Sequence, residues 1–171
     1  MKSRKGTEMV LIAVGANLPC NGRDALATCK AVVEALRGQP TIQVEAVSHW
    51  YESAPIPPSG QPPYVNGAVR ISTTLAPEDL LKVLQKLEHD FGRERSVPNA
   101  ARTLDLDIIA VGDTCQDDPH LMLPHPRAHE RAFVLLPVRD VMPDWVHPAT
   151  GLPLNTLLTN VAGQEISQIQ E

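Results

Sequence analysis

The 171 residues carry fifteen Lys plus Arg against twenty Asp plus Glu, a net charge of −5, with 43% hydrophobic and 20% charged side chains. That length suits one domain with a substantial core, and the composition excludes wholesale disorder. The acidic balance argues against a chain living mainly on nucleic-acid phosphates or an anionic membrane surface.

Residues 10–14 form an apolar run that reads as a first buried strand. Residues 23–37 set Leu26, Cys29, Val32, Val33 and Leu36 on one helical face, and Gly38 is placed to end that helix. Residues 42–51 alternate, with Val44, Ala46, Ser48 and Trp50 on one side of a second strand. A proline-rich loop follows, and residues 64–72 alternate again, with Val65, Val69 and Ile71 opposite Tyr64, Asn66 and Arg70. Pro77, Glu78 and Asp79 suit a first helical turn, after which Leu80, Leu84, Leu87 and Phe91 recur at helical spacing. Residues 104–111 read as a fourth strand and 127–141 as a third helix. The order predicts an α+β, ferredoxin-like βαββαβ sandwich with helices on one sheet face, an extra C-terminal helix and long loops at the site. One domain is expected over 1–171, with loose tails at 1–8 and 159–171.

Three scattered cysteines (Cys20, Cys29, Cys115) form no CxxC pair, which predicts free thiols in a reducing compartment. No segment approaches the roughly 18–20 apolar residues of a membrane span. A soluble cytoplasmic protein is expected.

The sharpest local signal is Arg102-Thr103-Leu104-Asp105-Leu106-Asp107-Ile108. In a strand, Leu104, Leu106 and Ile108 point one way and Asp105 and Asp107 the other, with the two aspartate Cα atoms about 6.5–7 Å apart. Such carboxylates can share one or two hard divalent cations, and Mg²⁺ takes one or two carboxylates plus substrate phosphates. A solvated strand face is the alternative, although like charges on one face repel without a cation. Arg93, Arg95 and Arg102 flank this strand and Arg131 could approach from the third helix, so that guanidinium forks would meet phosphate oxygens opposite the cations. No P-loop sequence is present. His125 could donate a hydrogen bond to phosphate or could simply cap or pack. Tyr64 and Asn66 share a strand face and could stack on and hydrogen-bond a flat heterocycle, or could be a half-buried edge pair.

Three rival functions fit parts of this pattern. A nonenzymatic ligand-binding domain leaves the aspartates and arginines unexplained. An RNA reader on this fold needs stacking aromatics and a basic surface, whereas the chain has six aromatics and a net −5. A zinc hydrolase would draw on Cys115, His120, His125 and His129, whose spacing matches no familiar ligand pattern.

From Val10 to Leu158 the chain resembles the 6-hydroxymethyl-7,8-dihydropterin pyrophosphokinases of folate biosynthesis. The resemblance is carried by Val14-Gly15-Ala16-Asn17-Leu18, by Tyr51-Glu52-Ser53-Ala54-Pro55-Ile56 and by Gln61-Pro62-Pro63-Tyr64-Val65-Asn66. It continues through the Arg102–Ile108 segment, Leu123-Pro124-His125-Pro126-Arg127 and Glu130-Arg131-Ala132-Phe133-Val134-Leu135-Leu136-Pro137. It implies transfer of the β,γ-pyrophosphoryl group of MgATP to the pterin hydroxymethyl oxygen, with release of AMP. It further implies two Mg²⁺ ions on Asp105 and Asp107, and Arg93 and Arg102 on the polyphosphate. Gln85, Arg95, Ile108, His125 and Arg131 would complete the ATP site. The pterin would lie between Tyr64 and Phe133, with Asn66 on its edge and the backbone of Ser53, Ala54, Pro55 and Ile56 reading its other groups. Glu88 matches a polar position beside the site. Small-molecule substrates alone, with no nucleic acid or membrane partner, and a monomeric state are expected. Many members carry Trp-Gly-Pro before the arginine of the acidic segment, where this chain has Asn99-Ala100-Ala101.

Overall fold

The computed structural model describes residues 8–17, 24–53, 63–91 and 104–170. Strand β1 (Glu8–Ala16) lies inside the sheet and is buried on both faces, with Val10, Ile12 and Val14 in one core and Leu11 in the other. Helix α1 (Ala25–Arg37) begins at Asp24, whose carboxylate accepts the Ala27 N–H at 2.8 Å, and buries Cys29, Val32, Val33 and Leu36. Helix α2 (Pro77–Asp90) starts on its proline and buries Leu80, Leu84, Leu87 and also Glu88. Both helices match the apolar spacing read from the sequence.

The strand expected over 42–51 is two strands, β2 (Ile42–Val47) and β3 (Tyr51–Ser53), laid end to end along β4 (Tyr64–Thr73). A bulge explains one difference from the simple alternation. Val44 pairs with Ile71 but Ala46 with Arg70, so Glu45 is the extra residue and Ala46 turns to the opposite face from Val44. Gly67 in β4 is required by close packing, because a Cβ there would lie 2.4 Å from the buried Trp50 ring.

With β5 (Asp105–Val111) the order across the sheet is β5-β1-β4-β3, with β2 beside β3 on β4 and every pair antiparallel. A last short strand, β6 (Ser167–Gln168), adds to the outer side of β3. Helices α1 and α2 cover one face, as expected. The other face is not bare. Helices α3 (Ala132–Val141) and α4 (Leu154–Asn160) pack there over Leu11, Ala68 and Ile109. The sheet therefore sits between two apolar cores.

Two expectations change here. Residues 127–141 are not one helix: a 3-10 turn over Ala128–Glu130 ends at Arg131, whose backbone is extended (φ −128°, ψ 118°), and α3 starts after it. Residues 159–170, expected as a loose tail, hold the end of α4 and the strand β6, which is hydrogen-bonded into the sheet. Cys29 and Cys115 are free thiols, and Cys20 lies outside the described residues.

Candidate active site

The site follows from sheet register. Asp105 of β5 lies beside Gly15 of β1, Gly15 beside Asn66 of β4, and Asn66 beside Tyr51 of β3. These residues form one row on the face that α3 covers lower down, and strand spacing sets the Asp105 and Asn66 Cα atoms about 10 Å apart. Asp107 stands one pleat along from Asp105, opposite Ala13. Asp107 is exposed and Asp105 partly so. Between the carboxylates and the amide, Gly15 keeps the floor low, since a Cβ there would stand 3.2 Å from Asn66 Oδ1.

The amide end of this row is ordered by its neighbours. Asn66 is buried and its Nδ2 donates to Ser53 Oγ at 3.0 Å. Tyr64, paired with Ser53, shares their face. Tyr51 fixes β3 from below, its hydroxyl donating to Asp140 of α3 at 2.8 Å. Burial first, then that hydrogen bond and the Asp140 charge, push the Tyr51 phenol up to about 12, so it remains a donor at neutral pH.

The carboxylate end is framed by groups on the outer edge of β5. Glu88 is 1% exposed and its Oε2 accepts the Leu106 N–H, between the two aspartates, at 2.7 Å. Sequence reasoning gave Glu88 no defined task. Its signal was a carboxylate on the apolar stripe of α2, next to Leu87 and four residues from Leu84. The backbone N–H of His125 donates to the Ile109 carbonyl at 2.8 Å, which brings the imidazole to the same edge. His125 Nδ1 accepts the Arg127 N–H at 3.2 Å, so the neutral ring carries its proton on Nε2. Burial, followed by the positive charges of Arg131 and Arg127, holds His125 below the usual imidazole range. It is therefore a neutral donor in basic company. His125 also lines a cavity of about 370 Å³ shared with Met122, His129 and His147; Asp105 and Asp107 do not line it.

Arg131 lies with its Cζ 5.4 Å from the Phe133 ring centroid, a spacing at which the cation is attracted to the ring face. Both stand at the start of α3, and Phe133 packs against the core on the site face. The fold thus brings Ser53, Tyr64, Asn66, Asp105 and Asp107 onto one face and sets Phe133, Arg131 and His125 around it. Gln85 is exposed on α2, and Ile108, next to Asp107 on β5, turns its side chain to the opposite face of the sheet, into the core beneath that helix. Ala54, Pro55, Ile56, Arg93, Arg95 and Arg102 lie outside the described residues.

Two carboxylates on one strand at a sheet edge suit Mg²⁺, which leaves its other positions to water and phosphate oxygens. Among the described residues no group of three His, Cys, Asp or Glu side chains could hold a metal ion, which leaves Cys115, His120, His125 and His129 without a zinc-type cluster.

Strand order and helix placement make this a ferredoxin-like α+β domain whose acidic doublet and amide share one side of the sheet. A sequence profile of the 7,8-dihydro-6-hydroxymethylpterin-pyrophosphokinase (HPPK) family matches residues 11–143. A Pseudomonas aeruginosa protein named 2-amino-4-hydroxy-6-hydroxymethyldihydropteridine pyrophosphokinase is 41% identical over 137 residues, 80% of this chain and 82% of its own. A Synechocystis protein of the same name is 42% identical over 120 residues, which span 70% of this chain and 61% of that protein. The crystal structure of wild-type Plasmodium falciparum HPPK-DHPS superposes with a TM-score of 0.70 at 12% identity, over 95% of this chain and 46% of that one. The chain belongs to the HPPK family.

Proposed function

We propose that this chain transfers the pyrophosphoryl group of MgATP to the hydroxymethyl oxygen of 6-hydroxymethyl-7,8-dihydropterin, giving the pterin diphosphate and AMP in folate biosynthesis. The observation that supports this reading is the single row from Asp105 through Gly15 to Asn66, which sets a carboxylate and a side-chain amide about two strand spacings apart. In the reaction the hydroxymethyl oxygen bonds to the β-phosphorus of ATP and the bridge between the α- and β-phosphates breaks. The electron pair leaves on AMP and the hydroxyl proton is lost.

Asp105 and Asp107 would hold two Mg²⁺ ions, which when bound supply charge neutralisation along the triphosphate and ease loss of the hydroxyl proton. Such a transfer needs alignment and charge stabilisation more than covalent help. Asn66 and Ser53 would read the pterin edge, with the backbone of Ala54, Pro55 and Ile56 taking its other polar groups. Tyr64 and Phe133 would enclose its faces and exclude water. His125 would donate from Nε2 to a phosphate oxygen, and Arg131 would offset developing charge. Arg93, Arg95 and Arg102 are proposed for the remaining phosphate contacts, and Gln85 and Ile108 for the nucleotide on the α2 side of β5. No side-chain base is required.

The same reading takes residues 1–171 as one pyrophosphokinase domain, working as a cytoplasmic monomer on small molecules without nucleic acid. Among the described residues no helix is long and apolar enough to cross a membrane.

The test is AMP formation dependent on both pterin and Mg²⁺, for wild type and for Asp105→Ala and Asp107→Ala. Each substitution is expected to lower turnover by roughly 10²-fold or more, with thermal unfolding unchanged because both side chains reach solvent. Near-normal turnover in both variants would refute the proposed role of the doublet.

A further inference from the structure

Helix α3 lacks an ordinary cap. Its first turn leaves backbone N–H groups without intrahelical acceptors, and the N-cap residue Arg131 makes no capping bond with its side chain. The missing acceptor arrives from 32 residues further along the chain. Gln164 Oε1 accepts the Ala132 N–H at 2.8 Å, while Gln164 Nε2 donates to the Glu130 carbonyl at 2.8 Å. One amide thus holds the backbone on both sides of Arg131. The extended Arg131 backbone, which interrupts an otherwise helical run, lies between these two bonds.

The chain beyond Gln164 runs directly to the other side of the site. Ile166 packs into the core beneath α3, Ser167 and Gln168 pair with Glu52 and Tyr51, and the Ile169 N–H donates to the Trp50 carbonyl at 2.8 Å. The five residues from Gln164 to Gln168 therefore connect the start of α3 to β3, the strand whose last residue, Ser53, holds Asn66. Arg131 and Phe133 are tied to one end of this segment and the pterin-reading strand to the other.

We infer that Gln164 is a positioning residue for the transfer: by clamping the peptide groups before and after Arg131 it aims that guanidinium at the nucleotide. The inference rests on the proposed role of Arg131 in the ATP site. Gln164 touches no substrate and acts only through Arg131 and the first turn of α3.

The test is a double-mutant cycle on AMP formation, followed with labelled ATP so that residual rates are measurable. Gln164→Ala is expected to lower kcat/KM for ATP about 10-fold, the effect of losing two hydrogen bonds. Thermal unfolding should stay within a few degrees of wild type, and amide exchange at Ala132 should quicken. In an Arg131→Ala background the same substitution should cost less than about twofold, because the group it aims is gone. Gln164→Glu keeps the acceptor for Ala132 but loses the donor to Glu130, so it should recover only part of the kcat/KM lost in Gln164→Ala. With an active wild type, unchanged kcat/KM in Gln164→Ala overturns the inference. So do losses that multiply undiminished in the Arg131→Ala background. A wild type that forms no AMP overturns the functional reading itself, and the clamp with it, so the two failures are distinct.

Discussion

A methyl group at Gly15 would stand 3.2 Å from Asn66 Oδ1, whereas one at Gly67 would stand 2.4 Å from the Trp50 ring. The two glycines lie on opposite faces of the sheet, so their replacement separates function from stability. Gly15→Ala is expected to displace the Asn66 amide by a few tenths of an ångström and raise the pterin KM about 3–10-fold, with the urea midpoint nearly unchanged. Gly67→Ala pushes against a ring that is 4% exposed and cannot yield, and is expected to cost roughly 1–3 kcal/mol in urea unfolding. The placement of these side chains was largely legible in the sequence: the i, i+2 aspartates and the Tyr64–Asn66 pair needed only strand periodicity to share a face. Gly15 was not legible as a spacer, because its importance depends on an amide brought alongside by a strand 51 residues later.

His147 is a buried ring that braces its own turn. It is 2% exposed, packs edge-on against His129 at 4.9 Å between ring centroids, and its Nδ1 accepts the N–H groups of Ala149 and Thr150. Burial first, then the charge of His129, lowers its pKa below the ordinary 6.5. The unfolded chain therefore binds a proton at higher pH than the folded one. Stability from this group is fully present above about pH 6.5 and is lost as pH falls below it. His125 is shifted in the same direction. Thermal unfolding midpoints are expected to drop between pH 7 and 5.5, and to drop less in His147→Asn, whose side-chain oxygen can still accept from the turn. An equal drop in that variant would exclude His147 as a source. The elements also show where local pattern stops being informative. The turn expected to continue as helix through 127–141 breaks at Arg131, where Gln164, far along the chain, binds both neighbouring peptides. Nothing in the run from Ala128 to Leu136 forecasts that. The bulge at Glu45 is likewise invisible in an alternating stretch until the partner strand sets the register.

Across the whole molecule, one sheet separates two apolar cores, with Leu84 at 0% exposure on one side and Leu135 at 0% on the other. Leu84→Ala and Leu135→Ala are each expected to cost about 2–5 kcal/mol. With a sheet between the two sites, the double variant should equal the sum to within roughly 0.5 kcal/mol in urea unfolding. Strong non-additivity would mean that the cores are mechanically linked through the strands. The βαββαβ order was readable because α1 and α2 keep clean helical periods between four apolar strand segments. The second layer of helices was not, since α3 and α4 declare their apolar faces without declaring which surface those faces meet. The final strand has one further effect. An uncovered rim at Tyr51–Ser53 would offer its outward amides and carbonyls to any extended peptide, a second copy of the chain included. Ser167 and Gln168 fill that rim, as Glu88 and His125 fill part of the opposite one along β5. A chain cut short before Ser167 would expose an adhesive border, and clumping through it should grow with protein concentration.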